Sequence, residues 1–484
     1  MTARPVSSGL PEATVFPCAS AYSLAIEMDL SIVDIAPVRN GETATDAYED
    51  AIALAQAADR LGYSRFWVAE HHGMANAIAS TTPEVLIARI AAETDEIRVG
   101  SGTVLLNHYS PFKVAETFTS LDALAPGRID LGLGRATGMP AVDRALASGG
   151  PQNRSGDDHA EKIEAVASHV YDAYPDDHPY GEIELPRSPD GVPEVWVLGS
   201  SPSSAAIAGE LGLPYAFAAF IRPTLAAQAF ERYHETFQRS PFDGGLAEPH
   251  GMLAVNAACA PTDHEAARLR ASSEAAYQRM ARGAFGPPPT VETAIEELGG
   301  VPDPTPDSLT PGDWPRAISG SPETLRELLE TMTDAVGAEE VIVQNLIEDP
   351  TDRIRSHELL AEAFELDGRG LLEVVEETEQ TVAPTEEGER YVEADLPECF
   401  ARVRGIHLVV TAVAERRRTV GRVPERAVER RGVLRRVAHD GDVHEPGVVQ
   451  RLADGAHLAV GHAGGRDDVR AGPGLGDGRL PHVL

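Results

Sequence analysis

Three ionisable side chains follow one another at the end of a short apolar segment. Residues 66–69 have the composition of a buried β-strand, and Glu70, His71 and His72 come directly after them. Neighbouring residues of an extended chain point to opposite faces, so the two imidazoles cannot both pack into one core. A strand that ends in ionisable groups is typical of the catalytic rim of an α/β barrel. This run is therefore a candidate catalytic site, and a buried, hydrogen-bonded histidine pair is the alternative.

A second set of polar residues has the chemistry of an anion site. Arg135 lies just past another apolar segment, where a guanidinium can bind a phosphate through two parallel hydrogen bonds. Ser200, Ser201 and Ser204 follow the next apolar segment and precede a helical pattern, so hydroxyl and free N–H groups would meet an anion there. Ordinary N-capping by serine is the alternative. An arginine and a serine cluster after consecutive strands together predict one phosphate pocket.

Other motif interpretations find less support. The run 132–138 has the spacing GxGxxxG, not GxGxxG, and follows the fourth predicted strand, which argues against a dinucleotide-binding loop. The sequence contains no HExxH motif, spaced His/Asp cluster or GxSxG elbow, so neither a metal site nor a serine hydrolase is predicted. Neither Lys113 nor Lys162 lies at a strand end, as a Schiff-base aldolase would require. Gly100 and Gly102 indicate a bulge or the close approach of a flat ligand to the third strand.

Strand-like segments alternate with helical patterns from residue 30 onwards. The eight predicted strands are 30–35, 66–69, 97–105, 129–133, 195–198, 215–220, 253–259 and 340–344. Eight strands, each followed by a helix, predict the α/β class and a (β/α)8 TIM-like barrel. A doubly wound sheet is the alternative, because one sequence does not reveal strand order. The stretch 283–319, rich in Pro, Gly and Asp, is predicted to be an insertion between strands 7 and 8, either a lid or a surface loop.

Charge is distributed unevenly along the chain. Residues 1–400 carry 26 basic and 66 acidic residues, a net charge of −40, whereas residues 401–484 carry 15 and 10, a net charge of +5. An acidic surface with only two lysines fits a halophile, although a GC-rich genome also explains the missing lysines. Such a surface repels nucleic-acid phosphates. The tail has no aromatic residue and cannot build a packed core.

Composition also divides the chain into regions. We predict a loose N-terminal arm at 1–25, the barrel at 26–367, an acidic linker at 368–400 and an Arg-rich tail at 401–484 that is disordered or frameshifted. A basic interaction tail is the alternative, and tail peptides in a mass spectrum of the protein from its natural host would contradict the frameshift hypothesis. The chain has no CxxC pair, no secretory signal and no apolar run of the roughly 18 residues that span a membrane. We therefore expect a cytoplasmic protein without a membrane or nucleic-acid partner.

Taken in chain order, these segments resemble the bacterial luciferase-like flavin monooxygenases. The similarity is greatest to the single-chain, barrel-type members associated with secondary metabolism, and it covers about residues 28–367. The matching segments are 30–38, 66–72, 97–102, 125–135, 198–201 and 356–361. The resemblance implies a TIM-like barrel that binds reduced FMN at its C-terminal rim.

The resemblance also implies roles for individual residues. His71 corresponds to the catalytic histidine beside the flavin ring, and a non-prolyl cis peptide is expected between Gly102 and Thr103. Gly134 stands where luciferase has a reactive cysteine, so light emission is not expected. The residues expected to bind the cofactor are Gly102, Thr103, Arg135, Ser200, Ser201 and Ser204.

The activity that the resemblance implies is a monooxygenation with paired donors, in which reduced FMN and O2 act on a small organic substrate. A separate flavin reductase would supply the cofactor, His71 would transfer protons, and the protein would be a homodimer. Related barrels use a deazaflavin for hydride transfer, which would suit an archaeal halophile. Others bind flavin without turnover, but the presence of both His71 and Arg135 favours an enzyme.

Overall fold

In the computed structural model, eight parallel strands close into a barrel. The described residues are 28–135, 140–146, 158–189, 191–243, 245–306, 308–366, 399–403 and 406–410. The sheet has nine strands, of which eight form the ring and β8 pairs with β7 beside it. They are β1 (Asp29–Asp34), β2 (Arg65–Val68), β3 (Arg98–Leu105), β4 (Ile129–Gly134), β5 (Glu194–Gly199), β6 (Tyr215–Ala218), β7 (Gly251–Cys259), β8 (Ala317–Gly320) and β9 (Glu340–Gln344). Strands β1 to β6 are neighbours in sequence order, and the ring closes through β1–β9, β9–β7 and β7–β6 pairs. The predicted TIM-like barrel is confirmed, and the doubly wound alternative is wrong.

Helices separate the strands and cover the outside of the barrel. They are α1 (Ala44–Leu61), α2 (Pro83–Glu93), α3 (Pro111–Leu124), α4 (Pro140–Leu146), α5 (His159–Val170), α6 (Pro202–Glu210), α7 (Ala226–Thr236), α8 (Asp263–Ala281), α9 (Val291–Leu298), α10 (Pro322–Val336) and α11 (Pro350–Ala363). A capping box of Thr43 and Asp46 starts α1, and Gly62 ends it in the left-handed conformation at φ 84°. Among the described residues, no helix combines the length and apolar character needed to span a membrane.

The insertion between β7 and β9 has more regular structure than its composition suggests. It contains α9 and the short strand β8, which pairs with β7 in parallel over Asn256–Cys259. Neither element was predicted from the sequence, because β8 is only four residues long and α9 lies among prolines and glycines. Residues 317–320 therefore belong to the sheet and not to a surface loop.

The predicted N-terminal arm, acidic linker and tail lie almost entirely outside the described residues. The exceptions are β10 (Cys399–Val403) and β11 (Ile406–Val410), which form a separate two-stranded sheet. The predictions of an arm, a linker and a disordered or frameshifted tail stay predictions.

A buried ion network occupies the amino-terminal end of the barrel. Arg65, the first residue of β2, contacts Asp130 at 3.1 Å, Glu194 at 2.9 Å and Glu340 at 2.7 Å. Arg98 also binds Asp130, through its Nε at 3.0 Å. These residues lie at or near the starts of β2, β3, β4, β5 and β9, so one guanidinium ties together strands that are far apart in sequence.

The barrel interior above this network is apolar. Trp67 and Trp196 pack edge to face at the centre, with ring centroids 5.9 Å apart. Val33, Met252 and Ile342 belong to the same cluster, which is distinct from the core between strands and helices. Side chains thus fill the middle of the barrel, as expected for a ring of eight strands. The open space lies at the carboxyl ends of the strands.

A buried histidine on α11 makes stability depend on pH. His357 lies against Tyr63, whose hydroxyl donates to the His357 carbonyl at 2.8 Å, and against Asn345 at 3.1 Å from Nε2. Burial lowers the pKa of His357 to about 3, so the folded protein keeps this imidazole neutral. The unfolded chain takes up the proton near pH 6.5. The contribution of His357 to the free energy of unfolding is therefore constant above pH 6.5. It is lost progressively as the pH falls from 6.5 towards 3.

We expect the free energy of unfolding to fall by about 2 kcal/mol between pH 6.5 and pH 4.5 through His357 alone. Urea unfolding at a series of pH values measures this slope. The His357→Asn variant should show a shallower slope, whatever its absolute stability. His264 is exposed on α8, so His264→Asn should leave the slope unchanged and serves as the control. An unchanged slope in His357→Asn would contradict the assignment.

Candidate functional site

A cavity of about 800 Å³ lies at the carboxyl ends of the barrel strands. Its floor is apolar and includes Trp67 and Ile342 from the barrel interior. The seven residues that the sequence analysis assigned to a site all line this cavity: His71, Gly102, Thr103, Arg135, Ser200, Ser201 and Ser204. They lie in or just after β2, β3, β4, β5 and at the start of α6, because parallel strands bring their carboxyl ends to one rim. Its volume falls within the roughly 300–1,000 Å³ of small-molecule and cofactor sites.

The three ionisable residues after β2 have different roles. The carboxylate of Glu70 accepts hydrogen bonds from the Leu105 amide at 2.8 Å and from the Tyr109 hydroxyl at 2.6 Å, and it lies 2.5 Å from His72 Nε2. Glu70 and His72 therefore hold the end of β3 in place. His71 lines the cavity, as does Glu70, whereas His72 does not. The two neighbouring imidazoles therefore differ in environment, and they are not hydrogen-bonded to each other.

His71 is an uncharged imidazole with an unused ring nitrogen. Burial, with a smaller effect from His72, lowers the pKa of His71 to about 4, so the ring is neutral at pH 7. Its Nδ1 is buried and has no hydrogen-bond partner in the described part of the chain. The backbone amide of His71 donates to the Ser80 carbonyl at 2.8 Å, which fixes the main chain. The side chain is thus placed to accept a proton or to bind a polar ligand.

The serine cluster serves first to start α6. The Ser201 hydroxyl accepts from the Ser204 amide at 3.5 Å, and the Ser204 hydroxyl donates to the Ser201 carbonyl at 2.8 Å. The Ser204 hydroxyl also lies 3.2 Å from the Tyr215 hydroxyl. Ordinary N-capping therefore accounts for Ser201 and Ser204 as they stand. The Ser200 hydroxyl, like that of Ser203, has no partner among the described residues and is free to bind a ligand.

Arg135 and His159 form the wall next to these serines. Arg135 is exposed just past β4, and within the described residues its guanidinium pairs with no carboxylate. His159, the first residue of α5, also lines the cavity, and its buried Nδ1 has no partner within the same residues. Burial and the nearby Arg135 lower the pKa of His159 to about 4. His159 was not predicted as a site residue, because its position at a helix start carries no signal of a cavity.

Glycines let the main chain itself form part of the cavity wall. A Cβ atom at Gly134 would lie 2.5 Å from Thr103 Oγ1, and one at Gly102 would lie 2.9 Å from Trp67 Cβ. A Cβ atom at Gly199 would collide with the Ser204 side chain. The peptide bond between Gly102 and Thr103 is cis, as the resemblance implies. Larger residues at these positions would need neighbouring side chains or backbone to move.

Comparisons with known proteins agree with this architecture. The family model described as luciferase-like monooxygenase matches residues 28–345. The luciferase-like monooxygenase of Escherichia coli (strain K12) is 34% identical over 338 residues, covering 69% of this chain and 96% of the relative. The N-acetyl-S-alkylcysteine monooxygenase of Bacillus subtilis (strain 168) is 35% identical over 336 residues, covering 69% and 97%. The crystal structure of apo-MsnO8 is 44% identical, with a TM-score of 0.61, and covers 70% of this chain and 99% of that one.

Proposed function

The chain belongs to the luciferase-like monooxygenase family, and from that premise we propose that it uses reduced FMN and O2 to oxygenate a small organic substrate. The observation that carries this proposal is the convergence of two kinds of group in one cavity. Anion-binding groups lie along the ends of β4 and β5. An unpaired neutral imidazole lies at the end of β2. A separate flavin reductase and a homodimeric assembly belong to the same proposal.

The phosphate end of the cavity fits an FMN phosphate. Arg135 offers a guanidinium that no described carboxylate occupies, and Ser200 offers a free hydroxyl. The amino terminus of α6 adds backbone N–H groups and the positive end of the helix dipole. We therefore assign Arg135, Ser200 and the first turn of α6 to the phosphate.

The other end of the cavity fits a flat, polar ring. Gly102 and Gly134 present backbone without side chains, and Trp67 lies in the apolar floor. The unpaired Nδ1 of His71 is the kind of orphaned polar atom that a bound ligand satisfies. His159 Nδ1, in the wall beside Arg135, is a second such atom. The polar groups and the open backbone thus correspond to the phosphate and ring of one flavin nucleotide.

Bound reduced flavin would provide the chemistry that reacts with O2. The protein would position the flavin, transfer protons and exclude water. Arg135 and Ser200 hold the phosphate and so fix the cofactor along the rim. His71, neutral at pH 7, accepts a proton at its unpaired nitrogen. The Glu70 hydrogen bonds to the Leu105 amide and to His72 keep the ends of β2 and β3 in register around it.

A comparison of FMN with riboflavin tests the phosphate site. We expect Arg135→Ala to weaken binding of reduced FMN by about 10- to 100-fold, because one charge-assisted contact contributes roughly 1.5–3 kcal/mol. Riboflavin, which lacks the phosphate, should bind the variant and the parent protein alike. Anaerobic titrations followed by flavin fluorescence give both constants. Arg89→Ala is the matched control, since Arg89 lies 63% exposed on α2 beside Glu93.

Three results would contradict parts of this proposal. Equal losses for FMN and riboflavin would place Arg135 away from the phosphate. Tighter binding of a deazaflavin than of reduced FMN would replace oxygenation with hydride transfer. A folded protein that binds neither cofactor would end the flavin assignment and leave only the barrel.

A further inference from the structure

Two more arginines line the cavity, and they lie away from Arg135. Arg222 follows β6 and Arg316 immediately precedes β8, whereas Arg135 follows β4. Arg316 Nη2 donates to the Ile221 carbonyl at 3.3 Å, so the residue next to Arg222 is in contact with Arg316. Arg222 and Arg316 therefore lie on one part of the rim, separated from Arg135 by β5 and its serines.

Among the described residues, no carboxylate neutralises this pair. Neither Arg222 nor Arg316 forms an ion pair there, and Glu274, near Arg316 on the adjoining surface, pairs with Arg270 at 3.5 Å. Glu70 is the one acidic residue in the described cavity wall, and its oxygens are taken by Leu105, Tyr109 and His72. This positive rim stands out on a chain with a net charge of −35. A local positive potential of this kind attracts anions.

Apolar side chains and one buried amide accompany the two arginines. Ile221 and Met280 line the cavity while remaining 49% and 46% exposed, which marks them as the mouth. The guanidinium of Arg316 lies 5.3 Å from the centre of the Tyr277 ring, and the Tyr277 hydroxyl donates to Gln344 Oε1 at 3.1 Å. Gln344 is 7% exposed, and no acceptor among the described residues uses its amide nitrogen. The mouth therefore combines cationic donors with apolar walls.

We propose that this mouth, formed by Ile221, Arg222, Met280 and Arg316, binds the carboxylate of an amphiphilic substrate. The carboxylate pairs with the guanidinium groups of Arg222 and Arg316, and the apolar body of the substrate extends over the floor around Trp67. This substrate class rests on the proposed monooxygenase function. The binding experiment below can be done with or without flavin, so the two proposals can fail separately.

Octanoate and octanamide are the probes, since they share an apolar chain and differ in the charge of one end. Calorimetric titration of the full chain should show octanoate binding about tenfold tighter than octanamide. The double variant Arg222→Gln/Arg316→Gln should bind the two probes equally. Salt at about 1 M should weaken the binding of octanoate and leave the binding of octanamide unchanged, because salt screens charge.

Two controls separate this site from folding and from the phosphate site. Arg268→Gln removes an exposed arginine of α8 outside the cavity wall and should keep the preference for octanoate. Arg316→Lys keeps the positive charge and should retain part of the preference, which shows that loss of charge and not misfolding removes the preference in the double variant. The affinity of the double variant for reduced FMN should stay within about threefold of the parent value.

The proposal is overturned if octanamide binds as tightly as octanoate, if neither probe binds the folded protein, or if the double variant keeps the preference. If Arg135→Ala, and not the double variant, loses the preference for octanoate, the carboxylate binds at the phosphate site and the proposal is also overturned. A protein that prefers octanoate but binds no flavin would keep the carboxylate site and reject the monooxygenase function.

Discussion

Replacing His71 with asparagine is expected to lower the rate of substrate oxidation by about 10²- to 10⁴-fold, the range typical for loss of a positioned acid–base group. The expectation follows from the location of His71 in the cavity wall and from the unpaired Nδ1 that burial keeps neutral. Asparagine keeps a polar side chain in place but cannot accept a proton at pH 7. Initial rates of oxygen uptake at saturating substrate measure the loss, and flavin titration should show affinity within about threefold of the parent.

The pH profile separates a chemical role of His71 from a structural one. With a pKa of about 4, His71 stays deprotonated from pH 5.5 upwards, so the parent rate should fall only as the pH approaches 4. The His71→Asn variant should lose this acidic limb. His72→Asn is the matched control, because His72 does not line the cavity and contacts Glu70, so its loss should change stability more than rate. A rate for His71→Asn within fivefold of the parent would rule out the proposed proton transfer.

Replacing Arg65 with methionine is expected to lower the free energy of unfolding by about 3–5 kcal/mol, the cost of breaking a buried ion pair from one side. Arg65 is the shared partner of Asp130, Glu194 and Glu340, and the Asp130 and Glu340 side chains are almost completely buried. Burial already raises the pKa of Glu340, and Arg65 is the main charge that opposes this. Without the guanidinium, at least one carboxylate stays buried without a counter-ion. Denaturant unfolding at pH 7 measures the loss.

A surface arginine provides the comparison. Arg89→Met removes an exposed i,i+4 pair with Glu93 and should change the free energy of unfolding by less than about 1 kcal/mol. Because the ion network lies at the opposite end of the barrel from the cavity, folded Arg65→Met protein should bind flavin as the parent does. Equal stability of the Arg65 and Arg89 variants would show that the network contributes little. If Arg65→Met loses less free energy of unfolding at pH 4.5 than at pH 7, this would fit protonation of the carboxylates that Arg65 no longer pairs with.

Local pattern was sufficient to predict the eight barrel strands and the general position of the site, although not β8 or α9. Apolar runs of four to nine residues, bounded by charged residues or glycine, mark the eight barrel strands because strands of a parallel barrel are buried on both faces. The alternation of side chains along an extended chain separates His71 from His72. Parallel strands share one carboxyl-terminal rim, so residues after β2, β3, β4 and β5 were expected to meet, and they line one cavity.

Tertiary structure decided what depends on contacts between distant segments. Pairing of β1 with β9, the first and last strands of the barrel, closes the ring, and no local pattern specifies that partner. His159, Arg222 and Arg316 enter the cavity wall only because the loops that carry them converge there. The same holds for charge, since burial sets the pKa of His71 and Arg65 on β2 pairs with carboxylates on β4, β5 and β9. Periodicity and composition report what a residue prefers, whereas burial and long-range contacts determine what its side chain can do.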